Sequence, residues 1–216
     1  MSIPVLTLPQ QGEILTRPRR EGCYDTEGYA GGSAIPARLS IFSNVSAFSP
    51  GAGTMGLTKT KYRDHNFENS GGSLWKGSTL HWYGLKIKFR PLGAVMGGAA
   101  AVAVWDQIRR IRESTWFTFY FGSMPYISAQ TWQVPQGTGF GDAFITHNAT
   151  TMIGTTHADL DRANHYDITL SGTPTTIGEL EPFHMDIEAS GVLPTPTLDI
   201  YLTPVLVGIF LKGITG

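Results

Sequence analysis

The chain has little of what secreted, membrane-spanning or catalytic proteins are usually built from. Cys23 is its only cysteine, so no internal disulfide can form and the framework of a small secreted domain is excluded. Charged residues make up 15% of the chain, well under the ~25% of an average domain. The formal net charge of -1 argues against a surface made to neutralise phosphate backbones. The opening Met1-Ser2-Ile3-Pro4 lacks a basic segment followed by an apolar one, so no signal peptide is expected and the chain should remain where it is synthesised. The longest apolar stretch, residues 92–105, is broken by Gly93, Gly97 and Gly98 and falls short of the ~20 residues a membrane helix needs.

Catalytic signatures are equally scarce. There is no Gly-x-Ser-x-Gly, no His-Glu-x-x-His and no Walker loop, and Gly137-Thr138-Gly139-Phe140-Gly141-Asp142 does not join a strand to a helix. None of the six histidines, His65, His81, His147, His157, His165 and His184, lies one residue from another, which disfavours a cupin-like metal site. The best ion-binding run is His157-Ala158-Asp159-Leu160-Asp161, with oxygen ligands two apart, although a solvated loop explains it as well. His184 and Asp186 share one strand face as a satisfied polar pair. The sequons at Asn44 and Asn148 carry no meaning without a secretory route. No enzyme activity, metal or cofactor is expected.

What is abundant is turn formers and short β-rich runs. Gly (26) and Pro (13) make up nearly a fifth of the 216 residues. They punctuate runs at residues 35–43, 55–62, 79–89, 115–121, 143–153, 166–170, 183–189 and 197–212, about eight strands. Leu85, Ile87 and Phe89 alternate with Lys86, Lys88 and Arg90, the pattern of a strand with one wet face. Residues 116–121 are aromatic or β-branched throughout and read as buried on both faces. Trp75, Trp82, Trp105, Trp116 and Trp132 lie mostly in or beside strands, where core or sheet-face packing is expected of them. Residues 99–113 predict the one helix, with Trp105, Ile108 and Ile111 as an apolar stripe and Arg109, Arg110 and Arg112 on other faces. Eight strands without βαβ alternation point to a two-sheet sandwich, of which the jelly roll is a common form.

Residues 1–34 read differently. Pro4, Pro9, Pro18, Gly12, Gly22, Gly28, Gly31 and Gly32 leave few extended pieces, and the span reads as an arm on a single domain at residues 35–216. In the arm, Val5, Leu6 and Leu8 form a short segment able to add to the sheet edge of a neighbouring subunit. Arg17, Arg19 and Arg20 form a basic knot suited to genome, lipid headgroups or an acidic neighbour. The arm is therefore expected to be dispensable for folding and needed for assembly.

Three stretches carry a resemblance: Lys59-Thr60-Lys61-Tyr62-Arg63-Asp64-His65-Asn66-Phe67, then Gly72-Ser73-Leu74-Trp75-Lys76-Gly77, then Tyr83-Gly84-Leu85-Lys86-Ile87. They are similar to a Thr-x-x-Asp-x-Asn-Leu, Gly-x-Leu-x-x-Gly, Tyr-Gly-Ile series in jelly-roll structural proteins of tailless icosahedral phages, of the tectivirus, corticovirus and sphaerolipovirus type. Residues 106–121, Gly122-Ser123-Met124-Pro125-Tyr126, 182–187 and 205–212 continue the likeness in order, so it covers roughly residues 55–212. Read without the family, Asp64 and Asn66 suit a turn in which side chains bond nearby amides, and Gly71, Gly72 and Gly77 permit positive φ.

The resemblance implies an all-β fold: a single eight-stranded antiparallel jelly-roll sandwich with one short helix in a connection and an extended N-terminal arm. It implies a capsid structural protein that self-assembles into an icosahedral shell and resides in the virion after assembly in the host cytoplasm. The expected partners are copies of itself and other virion proteins, with an internal membrane or the genome open as partners of the arm, and no small-molecule substrate. The rival reading is a carbohydrate- or receptor-binding jelly-roll spike.

Overall fold

The computed structural model describes residues 16–19, 23–44, 47–49, 51, 53–56, 58–60, 65–67, 73–74, 77–92, 98–134, 144–148, 151–155, 166–168 and 175–213. In chain order the strands are β1 (Thr16–Arg19), β2 (Cys23–Tyr24), β3 (Glu27–Tyr29), β4 (Arg38–Ile41) and β5 (Ser78–Pro91). The helix α1 (Gly98–Glu113) then leads into β6 (Thr115–Phe121), β7 (Met124–Gln130) and a 3-10 turn at Thr131–Gln133. After these come β8 (Phe144–Asn148), β9 (Thr151–Thr155), β10 (Tyr166–Asp167), β11 (Thr175–Ile177), β12 (Phe183–Ala189) and β13 (Ile200–Gly213).

Two antiparallel sheets and a single helix make the described chain all-β. In the first sheet, β13 and β5 run side by side; β1, β2 and β3 line the free side of β13, and β10 and β11 the free side of β5. The second sheet has the order β4-β12-β6-β7, and β8 pairs only with β9 as a hairpin. The pairings nest. The N-terminal strands pair with the last strand, β4 with β12, β5 with β10 and β11, and β6 with β7.

Local chemistry explains the key joints. Along β5, Leu80 and Trp82 and then Leu85, Ile87 and Phe89 all face inward, although the two sets differ in phase. A bulge reconciles them: Gly84 pairs with Val207 but Trp82 with Gly208, so Tyr83 is the extra residue. The Trp82 indole N–H closes the bulge by donating to the Gly84 carbonyl at 2.7 Å. Opposite, Gly208 can only be glycine, since a Cβ there would lie 2.4 Å from the His81 carbonyl oxygen. The β6–β7 hairpin turns through Gly122 and Ser123, with Gly122 at φ 55°. A glycine at the first central position suits the II′ turn that matches strand twist.

The core joins the sheets through aromatic rings. Trp82 of the first sheet lies 4.4 Å, centroid to centroid, from Phe119 of the second, and Phe119 stacks on Phe183 at 5.7 Å. Val104, Ile108 and Ile111 of α1 join the same core, so the helix sits in the β5–β6 connection with its apolar stripe inward.

Several expectations change. Residues 55–62 hold no strand among those described; Gly53 and Gly56 at φ 80° and 60° break the extended path, leaving isolated bridges such as Ala47 to Thr58. β6 is not buried on both faces, because Trp116 is 43% exposed. β7 and β11 are additional strands, and residues 143–153 fall on the two strands of a hairpin. Arg112 is buried, its guanidinium donating to the carbonyls of Trp132 and Val134 at 3.3 and 3.1 Å. Residues 16–19, 23–24 and 27–29, expected in the arm, instead form β1, β2 and β3 of the first sheet. Cys23 and Tyr29 enter the core, the acids Asp25 and Glu27 between them are buried as well, and β2 and β3 pair with β13.

Candidate functional site

β2 and β3 are one strand interrupted at Asp25 and Thr26, directly opposite Pro204 and Thr203 of β13. Pro204 has no N–H to give to a ladder, and the interruption lets Asp25 turn its carboxylate inward. One oxygen accepts from the Thr26 amide at 2.9 Å and the other from the Phe42 amide at 2.8 Å. Lys59 reaches in from the β4–β5 connection. Its ammonium donates to Asp25 at 2.8 Å, to Glu27 at 2.6 Å and to the Asn44 carbonyl at 3.0 Å. The other Glu27 oxygen accepts from the Ser49 amide at 2.9 Å.

The side chains of Lys59, Asp25 and Glu27 are 0%, 0% and 1% exposed. Burial pushes both carboxyls upward against the pull of Lys59, Glu27 to about 7. An ammonium has three N–H donors, and here three groups use them. With no path for a substrate, the cluster works as a tie. It fastens Phe42, Asn44, Ser49 and Lys59 to the first sheet and holds Phe42 at φ 66°, a conformation costly for a bulky residue, through the bond from its amide.

A second cluster lies on the outer face of the β4-β12-β6-β7 sheet. Asp186 is fully buried beneath Arg38, whose guanidinium donates to it, and Ser40 Oγ donates to its other oxygen at 2.6 Å. His184 stands 3.7 Å from Asp186 and stacks flat on Tyr120 with centroids 4.6 Å apart. Serine, histidine and aspartate meet here in the wrong order for nucleophilic catalysis. Asp186 accepts from Ser40, so no base is placed to take the serine proton. Thr118 and Ser128 share a hydrogen bond at 3.0 Å in the next columns.

The sequence-singled residues are placed as follows. Arg17 and Arg19 have their backbones in β1, opposite Lys212 and Phe210. Val5, Leu6, Leu8 and Arg20 lie outside the described residues, as does the run His157–Asp161. Among the described residues no group of three or more His, Cys, Asp or Glu is placed to hold a metal ion, and no helix is long and apolar enough to cross a membrane. Cys23 is buried, and desolvation pushes its thiol up to about 12, which makes it a poor nucleophile. Asn66 does bond a backbone amide, that of Tyr24, at 2.9 Å. Gly77 has the positive φ of 74° its type permits.

Sequence reasoning does not find the Asp25–Glu27–Lys59 cluster. Asp25 and Glu27 stand two apart, a visible signal, but nothing in the chain marks Lys59 as their partner. Comparison with family models, with curated proteins and with solved structures finds no match.

Proposed function

We propose that the chain is a structural subunit of a viral shell, a jelly roll that works by packing against copies of itself. The observation that carries this reading is the nested pairing. Counting β1–β3 as one strand and β10–β11 as another, and setting the separate β8–β9 hairpin apart, leaves eight strands, with first against eighth, second against seventh, third against sixth and fourth against fifth. A long hairpin of eight strands rolled into two facing sheets has this order, which is that of the jelly roll common in capsid domains.

The resemblance to tailless-phage structural proteins supports the step from fold to role, and several of its described motif residues have structural work to do. Lys59 holds the buried cluster, Asn66 bonds Tyr24, and Phe67, Leu74, Leu85 and Ile87 line the core. In this reading the partners are other copies and other virion proteins, the chain catalyses no reaction, and residues 1–15, with Val5, Leu6 and Leu8, reach a neighbouring subunit. Native sizing of the full chain tests it. Closed particles or a defined oligomer are expected; a monomer at every concentration overturns the reading.

A further inference from the structure

One row of side chains crosses all four strands of the β4-β12-β6-β7 sheet on its outer face. The register sets Arg38 beside Glu188, Glu188 beside Trp116, and Trp116 beside Gln130. Trp132, just past β7, donates its indole N–H to Gln130 Oε1 at 2.5 Å and so completes the row. Adjacent strands lie ~4.8 Å apart, so the row is roughly 14 Å long, comparable to a short run of pyranose rings.

Two features of this row are unusual for a solvated sheet face. Trp116 and Trp132 are 43% and 51% exposed on one row of a single sheet face, and an indole offers a flat apolar face with a polar N–H tip. They are also held. Arg112, from inside the fold, fixes the carbonyl of Trp132, and Asp186 fixes Arg38 from beneath. Between these groups stand hydrogen-bonding atoms a ligand can use: the Glu188 carboxylate, which also lies in the field of Arg38, the Trp116 indole N–H, and the Gln130 amide, whose Oε1 already accepts from Trp132.

From this arrangement we infer that the row Arg38–Glu188–Trp116–Gln130–Trp132 is a binding site for a neutral oligosaccharide. A pyranose presents an apolar C–H face and an equatorial rim of hydroxyls. The indoles meet the former, and the carboxylate, amide and guanidinium meet the latter. The charge of Arg38 is already answered by Asp186, so Glu188 leaves the site net negative, which selects against uronic and sialic acids. A protein partner fits poorly. A stable interface needs about 800 Å² on each side, whereas the exposed apolar surface here is confined to two separated side chains in a polar, internally bonded face. The inference does not depend on shell assembly.

The test is a titration of the full chain, in whatever assembled state it adopts, observed by NMR on the sugar. The probes are cellotriose, chitotriose and lactose, with sialyllactose as the acidic comparison. At least one neutral probe is expected to bind with a Kd below about 10 mM, and Trp116→Ala and Trp132→Ala should each weaken it about tenfold or more. Unchanged thermal midpoints in both variants will show that the fold is intact. Three results overturn the inference: no neutral probe binding at about 10 mM, binding undiminished in the double variant, or sialyllactose binding more tightly than lactose.

Discussion

The molecule carries two carboxylate–cation clusters, one between its layers and one on an outer face, and they differ in what surrounds the same chemistry. Inside, Lys59 has every N–H donor used, and Asp25 and Glu27 have no access to water. Outside, Asp186 is equally buried, yet its cation Arg38 is 56% exposed and forms a lid that water can replace. A buried pair is costly to break because the surviving charge is stranded, while an exposed cation contributes little. The enclosed cluster therefore acts as a structural tie, and the open one leaves side chains beside it free to meet a ligand.

The largest test of that contrast removes residues. Deleting residues 1–30 takes away β1, β2 and β3, the core residues Cys23 and Tyr29, and both acids around Lys59. The product is expected not to fold, as judged by loss of cooperative unfolding. Deleting only residues 1–15 leaves every one of these groups in place and should keep the transition. A folded chain lacking residues 1–30 would mean that the inner cluster ties nothing essential. Next in size is Lys59→Met, which leaves two acids buried without their cation; about 3–5 kcal/mol should be lost in denaturant unfolding.

The inner cluster also gives a pH signature. Glu27 has its carboxyl raised by burial from an ordinary 4.5 to about 7, so between those values the folded chain holds a proton that the unfolded chain has lost. The associated stability is fully present below about 4.5 and is lost as pH rises through about 7. The raised Asp25 acts in the same direction. A shift of this size corresponds to about 3 kcal/mol. Glu27→Gln should flatten the slope of stability against pH across that window; an unchanged slope would show that Glu27 titrates normally and is not enclosed.

The same contrast explains what could be read from the residues beforehand. The helix and β5 were legible because their patterns are local: Trp105, Ile108 and Ile111 mark the apolar side of the helix, with Val104 joining Ile108 and Ile111 in the core in place of a fully buried Trp105, and Lys86, Lys88 and Arg90 mark a wet strand face. Residues 23–34 misled because glycine there reads as looseness. In the fold it marks close approach: a Cβ on Gly31 would lie 2.9 Å from the Leu198 backbone, and one on Gly28 would lie 2.2 Å from Met55 Sδ. β7 hid behind Pro125, although the two-residue Gly122-Ser123 turn after a strand was a usable signal. Neither the inner cluster nor the outer row was legible: the first depends on where the β4–β5 connection carries Lys59 and the second on strand register, and periodicity carries no information about either.

The smallest expected effect is Arg38→Ala, and it tests the contrast most sharply because Asp186 is as deeply buried as Asp25. If burial of the acid alone set the cost, removing its cation would strand a charge and cost several kcal/mol, as for Lys59. Arg38, however, covers Asp186 from the solvent side, so its removal admits water to the freed oxygen while Ser40 Oγ keeps the other. The loss should be about 1 kcal/mol or less and should shrink further in high salt, where an exposed pair is screened. Equal losses for Arg38→Ala and Lys59→Met would erase the distinction between the two clusters. A small, salt-sensitive loss beside a large, salt-insensitive one would place it in the access of water to the carboxylate after the cation is gone.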